Sequence, residues 1–480
     1  MTGQDDGMPS TTFSPVSNAG LLMNWAPHQV LLGGLSLAWI VLPLTAGAPL
    51  FSLRNLPAAL LLAISLVTIN GRSLWQLAGI RLGFGLRQAT GRTRWTMSPM
   101  ARDTTVGYLD LPGTAGKRLK PMEIVDTRFS GGAFIWDTAS GEATVALRMT
   151  SLPFAFRPET EQAGRGREWG AALAQAVEMQ GLARIVTQAR SLRMPDPPRE
   201  PARPCTWSGE QMLGMETDSM PDTVMHDMIV TITIRQQDVA AEARKAGGGV
   251  PGLSQVLKDR VVRFVGLAMR AGASARDISW LNAAQLRGLG KTLSDPSAWD
   301  LLDRWMQLDD GVPLSTSYAE YSDRLEVDRV TARTLWVDRW PADPVTAGFL
   351  SSLACRADMD CILTQVWKPK GERAARKALD NRVAELERIQ GRNRSMGRNP
   401  DQRVQRELEE TQARLRELAE RHAEVDFQGF LTVIAPTREQ ADADVRRVTT
   451  DMGGVLHFDG LRGQQWAAWV GALPFGQAGR

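Results

Sequence analysis

The sequence predicts a membrane-anchored α+β protein, and three observations indicate that class. No Asp or Glu occurs between Asp6 and Asp103, and two apolar runs lie inside this window. Further along the chain, short apolar strands alternate with amphipathic helices. A later stretch rich in Arg and Glu carries two apolar stripes at helical spacing. We therefore expect an N-terminal two-helix transmembrane hairpin, then a cytoplasmic domain of β-α-β units with a projecting helical hairpin.

The two apolar runs define the predicted membrane anchor. The first extends from Val30 to Phe51 and is long enough to span a bilayer, which takes about 20 residues. The second, Leu56 to Ile69, is shorter and would need tilt or flanking residues. A buried core helix is an alternative, whereas a signal peptide fits poorly because the preceding residues are acidic and no A-x-A cleavage site is evident. These features predict a disordered tail over 1–28 and a transmembrane hairpin over 29–70.

Arginine residues after the second run predict the orientation. Positive charge close to a membrane span stays in the cytoplasm, so we expect a two-pass protein of the plasma membrane with both termini cytoplasmic. Region 71–103 is predicted to be a basic juxtamembrane helix, which either contacts anionic headgroups or packs on the rest of the chain. The candidate membrane-surface residues are Arg72, Arg81, Arg87, Arg92 and Arg94.

The remaining chain predicts an α+β domain over 104–370 and a terminal β-α-β unit with a final helix over 426–480. Two strands are expected around a turn at Thr138 to Gly141. A strand–helix–strand pattern then occurs twice, first from "RTLWVDRW" to "CILTQVWKP" and again from "FQGFLTVIAP" to "GVLHFD". Each occurrence is typical of half of a split β-α-β unit, with helices on one face of a sheet. In the last unit, Thr437 is the predicted N-cap, and Gly453 the predicted end, of one helix.

Between these units, region 371–425 is predicted to form a charged antiparallel helical hairpin. Its apolar stripes include Leu379, Val383 and Leu386 on one helix, and Leu408 and Leu415 on the other. The charged residues are expected to form a solvated face, and a coiled-coil or partner-binding role as a scaffold is the alternative. The candidate partner-docking residues are Leu379, Val383, Leu408, Leu415, Trp466 and Trp469. Of the two tryptophans, at least one is expected to pack in the core.

The sequence predicts no metal, cofactor or direct nucleic-acid binding. A formal charge of +3 over 480 residues gives little electrostatic support for nucleic acid. The three cysteines are an odd number and widely placed, so they give no disulfide framework and no zinc pattern, and the four histidines show no ligand spacing. These residues are Cys205, Cys355, Cys361, His28, His226, His422 and His457.

Two glycine-containing stretches match nucleotide-binding motifs only in part. The residues Gly290 to Thr292 end like a P-loop, but Gln285 replaces its first glycine and no strand precedes it. We expect a short helix here after Ser279, with Gly288 and Gly290 ending it. The second stretch, "GGGVPG", does not follow its strand directly, as a dinucleotide-binding turn must.

The order of these features resembles that of the membrane proteins encoded in actinobacterial conjugative elements. In that family a PrgI-like membrane hairpin leads into a region similar to the N-terminal half of CagE/TrbE/VirB-type secretion ATPases. The matching pieces here are "GRTRW", "AAEARKAGGGVPGLSQVLKDRV" and "FLTVIAPTREQADADVRRVTTDMGGVLHFDGLRGQQWAAWVGALPFG". The resemblance covers most of the chain, but it consists of patterns of apolar residues, glycines and arginines. It includes no catalytic signature, since the motor half of the family has no counterpart here.

The resemblance implies a non-enzymatic structural component of a type IV-like conjugative DNA-transfer or secretion machine. Such a component would dock a separate motor ATPase and contact other channel subunits, with homo-oligomerisation open. A subunit of another export system, such as type VII secretion, is the first alternative. The others are an atypical nucleotide hydrolase using Lys291 and Thr292, and a DNA-binding module using the arginine-rich helices.

Overall fold

A computed structural model of the chain describes most of its second half and part of its first. The described ranges are 72–97, 118–123, 132–150, 159–193, 224–298, 313–341, 348–370, 372–395 and 424–478, with scattered residues outside them.

One antiparallel sheet of 13 strands dominates the described structure. Its strands, numbered in chain order, are β1 (Arg94–Thr96), β2 (Leu119–Glu123), β3 (Ala133–Asp137), β4 (Glu142–Thr150), β5 (Leu182–Arg193), β6 (Val224–Arg235), β7 (Ile278–Trp280), β8 (Ser317–Glu320), β9 (Leu325–Val327), β10 (Val330–Arg339), β11 (Asp360–Lys370), β12 (Glu424–Ala435) and β13 (His457–Gly460).

Helices cover both faces of this sheet. Those in the described ranges are α1 (Leu74–Ala89), α2 (Glu159–Val177), α3 (Gln236–Lys245), α4 (Gly249–Arg270), α5 (Ala283–Ser294), α6 (Ser351–Ala354), α7 (Glu372–Ser395), α8 (Arg438–Met452) and α9 (Gln465–Ala472). Short 3-10 turns lie at Ala275–Asp277 and Pro296–Ala298. Separate two-residue ladders join Ser10–Thr11 to Val345–Thr346 and Thr68–Ile69 to Arg72–Ser73.

The sheet contains one strand arrangement twice. In the first repeat, β3 pairs with the start of β4, β4 with β6, β6 with β5, and β7 with the end of β4. In the second, β9 to β13 pair in the same way, with β10 in the place of β4. Each repeat is therefore a split β-α-β unit of ferredoxin-like topology, preceded by one hairpin strand.

The two repeats join edge to edge through β5 and β11. This antiparallel ladder runs from Ser191 opposite Cys361 to Ile185 opposite Trp367. Because backbone hydrogen bonds continue across the junction, the predicted units form one sheet rather than separate modules. The predicted boundary at 370 and 426 also falls within the β11–β12 pair, which extends to Lys370 opposite Glu424.

Alternation along the strands produces a core on each face. Val230, Ile232 and Ile234 pack with α2, α3 and α4 on one face, where α6 and α8 cover the second repeat. On the opposite face, α5, α9 and the residues after α9 pack against Ile229 and Ile362. The sequence predicted helices on one face of the sheet only, whereas the structure has helices on both faces.

Local signals placed several elements correctly. The turn at Thr138 to Gly141 separates β3 from β4. The Thr437 hydroxyl accepts a hydrogen bond from the Gln440 amide, and α8 ends at Met452, directly before Gly453. These predictions are confirmed because they depend on contacts within a few residues.

The predicted transmembrane hairpin is wrong, and with it the membrane-anchored fold class and the two-pass plasma-membrane localisation. Among the residues that the structure describes, no helix combines the length and apolar character needed to cross a bilayer. Backbone at Thr68–Ile69 is extended and paired with Arg72–Ser73, which a second span continuing to Ile69 would exclude. Most of 29–70, and the predicted tail 1–28 apart from Ser10–Thr11, lie outside the described residues.

Candidate functional site

The stretch that resembles the end of a P-loop, Gly290 to Thr292, lies within helix α5. Asn282 and Gln285 form a reciprocal capping box at its start, and the helix continues through both predicted stop glycines to Ser294. A Cβ on Gly290 would lie 3.0 Å from Phe475 Cζ, so the glycine permits close packing of the C-terminal residues. The expected helix is present, but it begins at Ala283, after the short strand β7 where no strand was expected. Its expected end is also wrong because tertiary packing requires the small residue inside it.

The two residues that would contact phosphate have other partners. The Lys291 ammonium lies 3.0 Å from Asp328 Oδ2. The buried Thr292 hydroxyl donates to the Leu289 carbonyl at 3.0 Å. This helical backbone directs its amides along the helix axis, so it provides no cradle for a phosphate.

Helix α1 takes the place of the predicted juxtamembrane helix but is shorter than 71–103. It ends at Ala89, and the chain then enters the sheet as β1. Arg81, Arg92 and Arg94 are exposed. Arg72 belongs to a two-residue strand, and its side chain lies outside the described part of the chain.

Arg87 attaches α1 to the sheet edge. Its Nη2 donates to Glu320 Oε2 at 3.2 Å and to the Gly463 carbonyl at 2.6 Å. The Glu320 carboxylate also accepts from the Trp466 amide at 3.1 Å. Burial raises the pKa of Glu320, while the Trp466 amide and the Arg87 charge act in the opposite direction. This contact joins α1, β8 and the start of α9.

The two tryptophans on α9 have different environments. Trp469 is 1% exposed and lies in the core, so its side chain offers no surface to a partner. Trp466 is half-buried and stacks between Tyr318, with ring centroids 4.4 Å apart, and Trp469, at 5.6 Å. A docking role for Trp466 stays a prediction.

Region 371–425 supplies the second candidate docking element, which we call the arm. Leu379 is buried against Leu415, and Leu386 is 1% exposed. Val383 and Leu408 are half-buried. The contact between Leu379 and Leu415 therefore forms a small apolar seam inside the arm, and the surface open to a partner includes its charged exterior.

Cysteine and histidine residues form no metal site in the described residues, where no group of three or more His, Cys, Asp and Glu could hold an ion. Cys361 is buried, which raises the pKa of its thiol to about 12. Cys355 is exposed, yet neighbouring atoms desolvate its thiol and raise its pKa. His457 pairs with Asp338. Cys205, His28 and His422 lie outside the described residues.

The structure also reveals a feature that sequence reasoning missed. After α9, residues Leu473 to Ala478 cross the sheet as a strap from the second repeat to the first. Buried Gln188 donates to the Leu473 carbonyl at 3.2 Å, and buried Arg184 donates to the Gly476 carbonyl at 2.7 Å. The only local signal is the presence of these long polar side chains within the apolar strand β5.

Compared with known proteins, the chain matches no family model and has no significant match among curated sequences.

Proposed function

We propose that this chain is a non-catalytic structural subunit of a type IV-like conjugative DNA-transfer machine, and that it docks a separate motor ATPase through the arm. The observation that carries the proposal is the position of the arm within the second repeat. It is inserted between two adjacent strands whose pairing continues to Lys370 and Glu424. The sheet does not need this insertion to close the hairpin.

The arm has the properties of an interaction element. Helix α7 has 24 residues and is therefore about 36 Å long. Its small apolar contact between Leu379 and Leu415 is separate from the cores that hold the sheet. Its exposed residues include Asp380, Glu387 and Arg388. Such a surface suits a polar interface in which a few central contacts provide most of the binding energy.

The family resemblance supplies the kind of partner. The matching segments are similar to the part of secretion ATPases that precedes the motor, so a motor ATPase of that kind, bound in trans, is the partner that we propose. The strap and Trp469 are unsuitable for this purpose because they are buried. The arm and the half-buried Trp466 remain accessible, and the arm offers the larger surface.

The test removes the arm without disturbing the sheet. Residues 371–423 are replaced by Asn-Gly, a two-residue turn that matches antiparallel strands paired at Lys370 and Glu424. The full-length wild type and this variant are then used to capture the motor ATPase encoded nearby. We expect the variant to keep its thermal unfolding transition and lose the motor.

A pair of charge exchanges provides the matched control. On the arm, Glu387→Arg is combined with Arg388→Glu; on α8, Glu439→Arg is combined with Arg446→Glu, again at exposed positions. Each pair preserves net charge. We expect weaker capture from the arm exchange only. Full recovery of the motor by the arm-deleted protein would refute the docking function assigned to the arm.

A further inference from the structure

A cleft of about 350 Å³ lies on the face covered by α2 and α4. Both repeats contribute to it: Trp169 comes from α2, Ala268 from α4 and Met228 from β6, whereas Cys355 follows α6 of the second repeat. Its volume is within the usual range for small-molecule sites, about 300–1,000 Å³. The docking function assigned to the arm does not use this cleft.

The unequal lengths of two corresponding helices account for the space. In the first repeat, α2 connects β4 to β5 and has 19 residues. In the second, the corresponding connection from β10 to β11 contains α6, with four residues. The shorter helix cannot cover the junction between the repeats as α2 does, and Ala354 and Cys355 at its end form one wall of the cleft.

His226 also lines the cleft, and a chain of hydrogen bonds determines which of its ring nitrogens carries the proton. The Ser191 hydroxyl donates to the Ala354 carbonyl at 2.7 Å and lies 2.9 Å from His226 Nδ1. A hydroxyl has one hydrogen to donate, so Ser191 must accept from His226, and the ring proton is on Nδ1. In the neutral ring, Nε2 is then an acceptor, and it has no hydrogen-bond partner among the described residues. The same bonds make Ser191 an acceptor from the histidine, so it is not activated as a nucleophile.

We propose that this cleft binds a small molecule that has a flat apolar body and one hydrogen-bond donor, a hydroxyl or N–H, directed at His226 Nε2. Trp169, Met149 and Met228 suit the apolar body because aromatic and thioether groups adapt to flat rings. The unpaired acceptor selects against an otherwise equal molecule that cannot donate, since occupying the site would leave Nε2 without a partner. Such a ligand would contact both repeats at their junction.

The test compares two probes that differ in this one property. 2-Naphthol can donate a hydrogen bond, whereas 2-methoxynaphthalene has the same ring system and cannot. Binding to the full chain is measured by probe fluorescence. Because one hydrogen bond is worth roughly 0.5–1.5 kcal/mol, we expect 2-naphthol to bind about two- to twelvefold more tightly. In His226→Phe this preference should disappear. Equal affinities for the wild-type protein would overturn the proposal.

A second pair of variants locates the binding. Ala273→Phe fills the cleft, and Ala467→Phe makes the same change at an exposed position on α9. We expect the first to abolish 2-naphthol binding and the second to leave it unchanged. Bound 2-naphthol should also slow alkylation of Cys355, measured by mass spectrometry of the peptide that contains it. Undiminished binding to folded Ala273→Phe, or unchanged Cys355 alkylation, would place the probe elsewhere and overturn the assignment. If either substituted protein fails to fold, the wild-type probe comparison and Cys355 protection decide the question.

Discussion

The Glu320 carboxylate is 4% exposed and holds both Arg87 and the start of α9. Its pKa is raised in the folded protein above the ordinary value of 4.5, chiefly by burial. The folded state therefore binds this proton more tightly than the unfolded state, so the contribution to stability is complete below pH 4.5 and is lost as pH rises through the folded-state pKa.

Glu320→Gln removes this titration. We expect the unfolding free energy of the wild type minus that of Glu320→Gln to decrease as pH rises from about 4 to about 8. Urea unfolding at several pH values measures this difference. A difference that instead increases with pH would contradict the role assigned to desolvation.

Gly476 allows the strap to approach the sheet. Its φ is +65°, and a Cβ there would lie 2.6 Å from Thr144 Cγ2 and 3.0 Å from Thr233 Oγ1. Gly476→Ala should therefore lower the unfolding free energy by about 2–4 kcal/mol, from backbone strain and overpacking. Gly454→Ala, where a Cβ would meet nothing within 4 Å, is the control and should change stability by less than about 0.5 kcal/mol. Equal effects in chemical denaturation would exclude close packing of the strap.

At the scale of single elements, the arm should behave as a local folding unit. Leu379→Asp places a carboxylate in its small apolar seam, whereas Ala384→Asp adds one at an exposed position of the same helix. We expect the first to accelerate amide hydrogen exchange throughout α7 while leaving β11 and β12 protected, because burying an unpaired charge is costly. The second should leave α7 protected. Loss of protection in β11 after Leu379→Asp would show that the sheet depends on the arm.

At the scale of the whole molecule, the continuous sheet predicts that both repeats unfold together. The β5–β11 ladder joins them on the backbone, and the strap extends from the second repeat to Arg184 of the first. Amides in β6 and β12 should therefore exchange with the same free energy and the same urea dependence. Gly476→Ala should lower both values equally. Two separate transitions would mean that the repeats are independently stable.

Local patterns in the sequence were sufficient for much of the secondary structure. The strands β5, β6, β11 and β12 coincide with the apolar runs "LARIVTQARSL", "DMIVTITIR", "CILTQVWKP" and "FQGFLTVIAP". Helix α8 begins directly after its predicted cap, because alternation and capping depend on near neighbours. The sequence also predicted a helical arm from two apolar stripes, and Leu379 does contact Leu415. Its role in docking a motor is still a prediction.

Tertiary contacts decided what these patterns could not. Hydropathy sums composition over a window, so it predicted a span ending at Ile69 and could not register the pairing of Thr68–Ile69 with Arg72–Ser73. The helix through Gly290 depends on Phe475, and the strap depends on Gln188, whose bond to the Leu473 carbonyl joins residues 285 positions apart. Such contacts produce no periodic pattern in the sequence, because their two partners lie in different elements. The edge-to-edge junction, the strap and the cleft therefore follow from how the two repeats pack, since the free energy that selects them comes from residues distant in the chain.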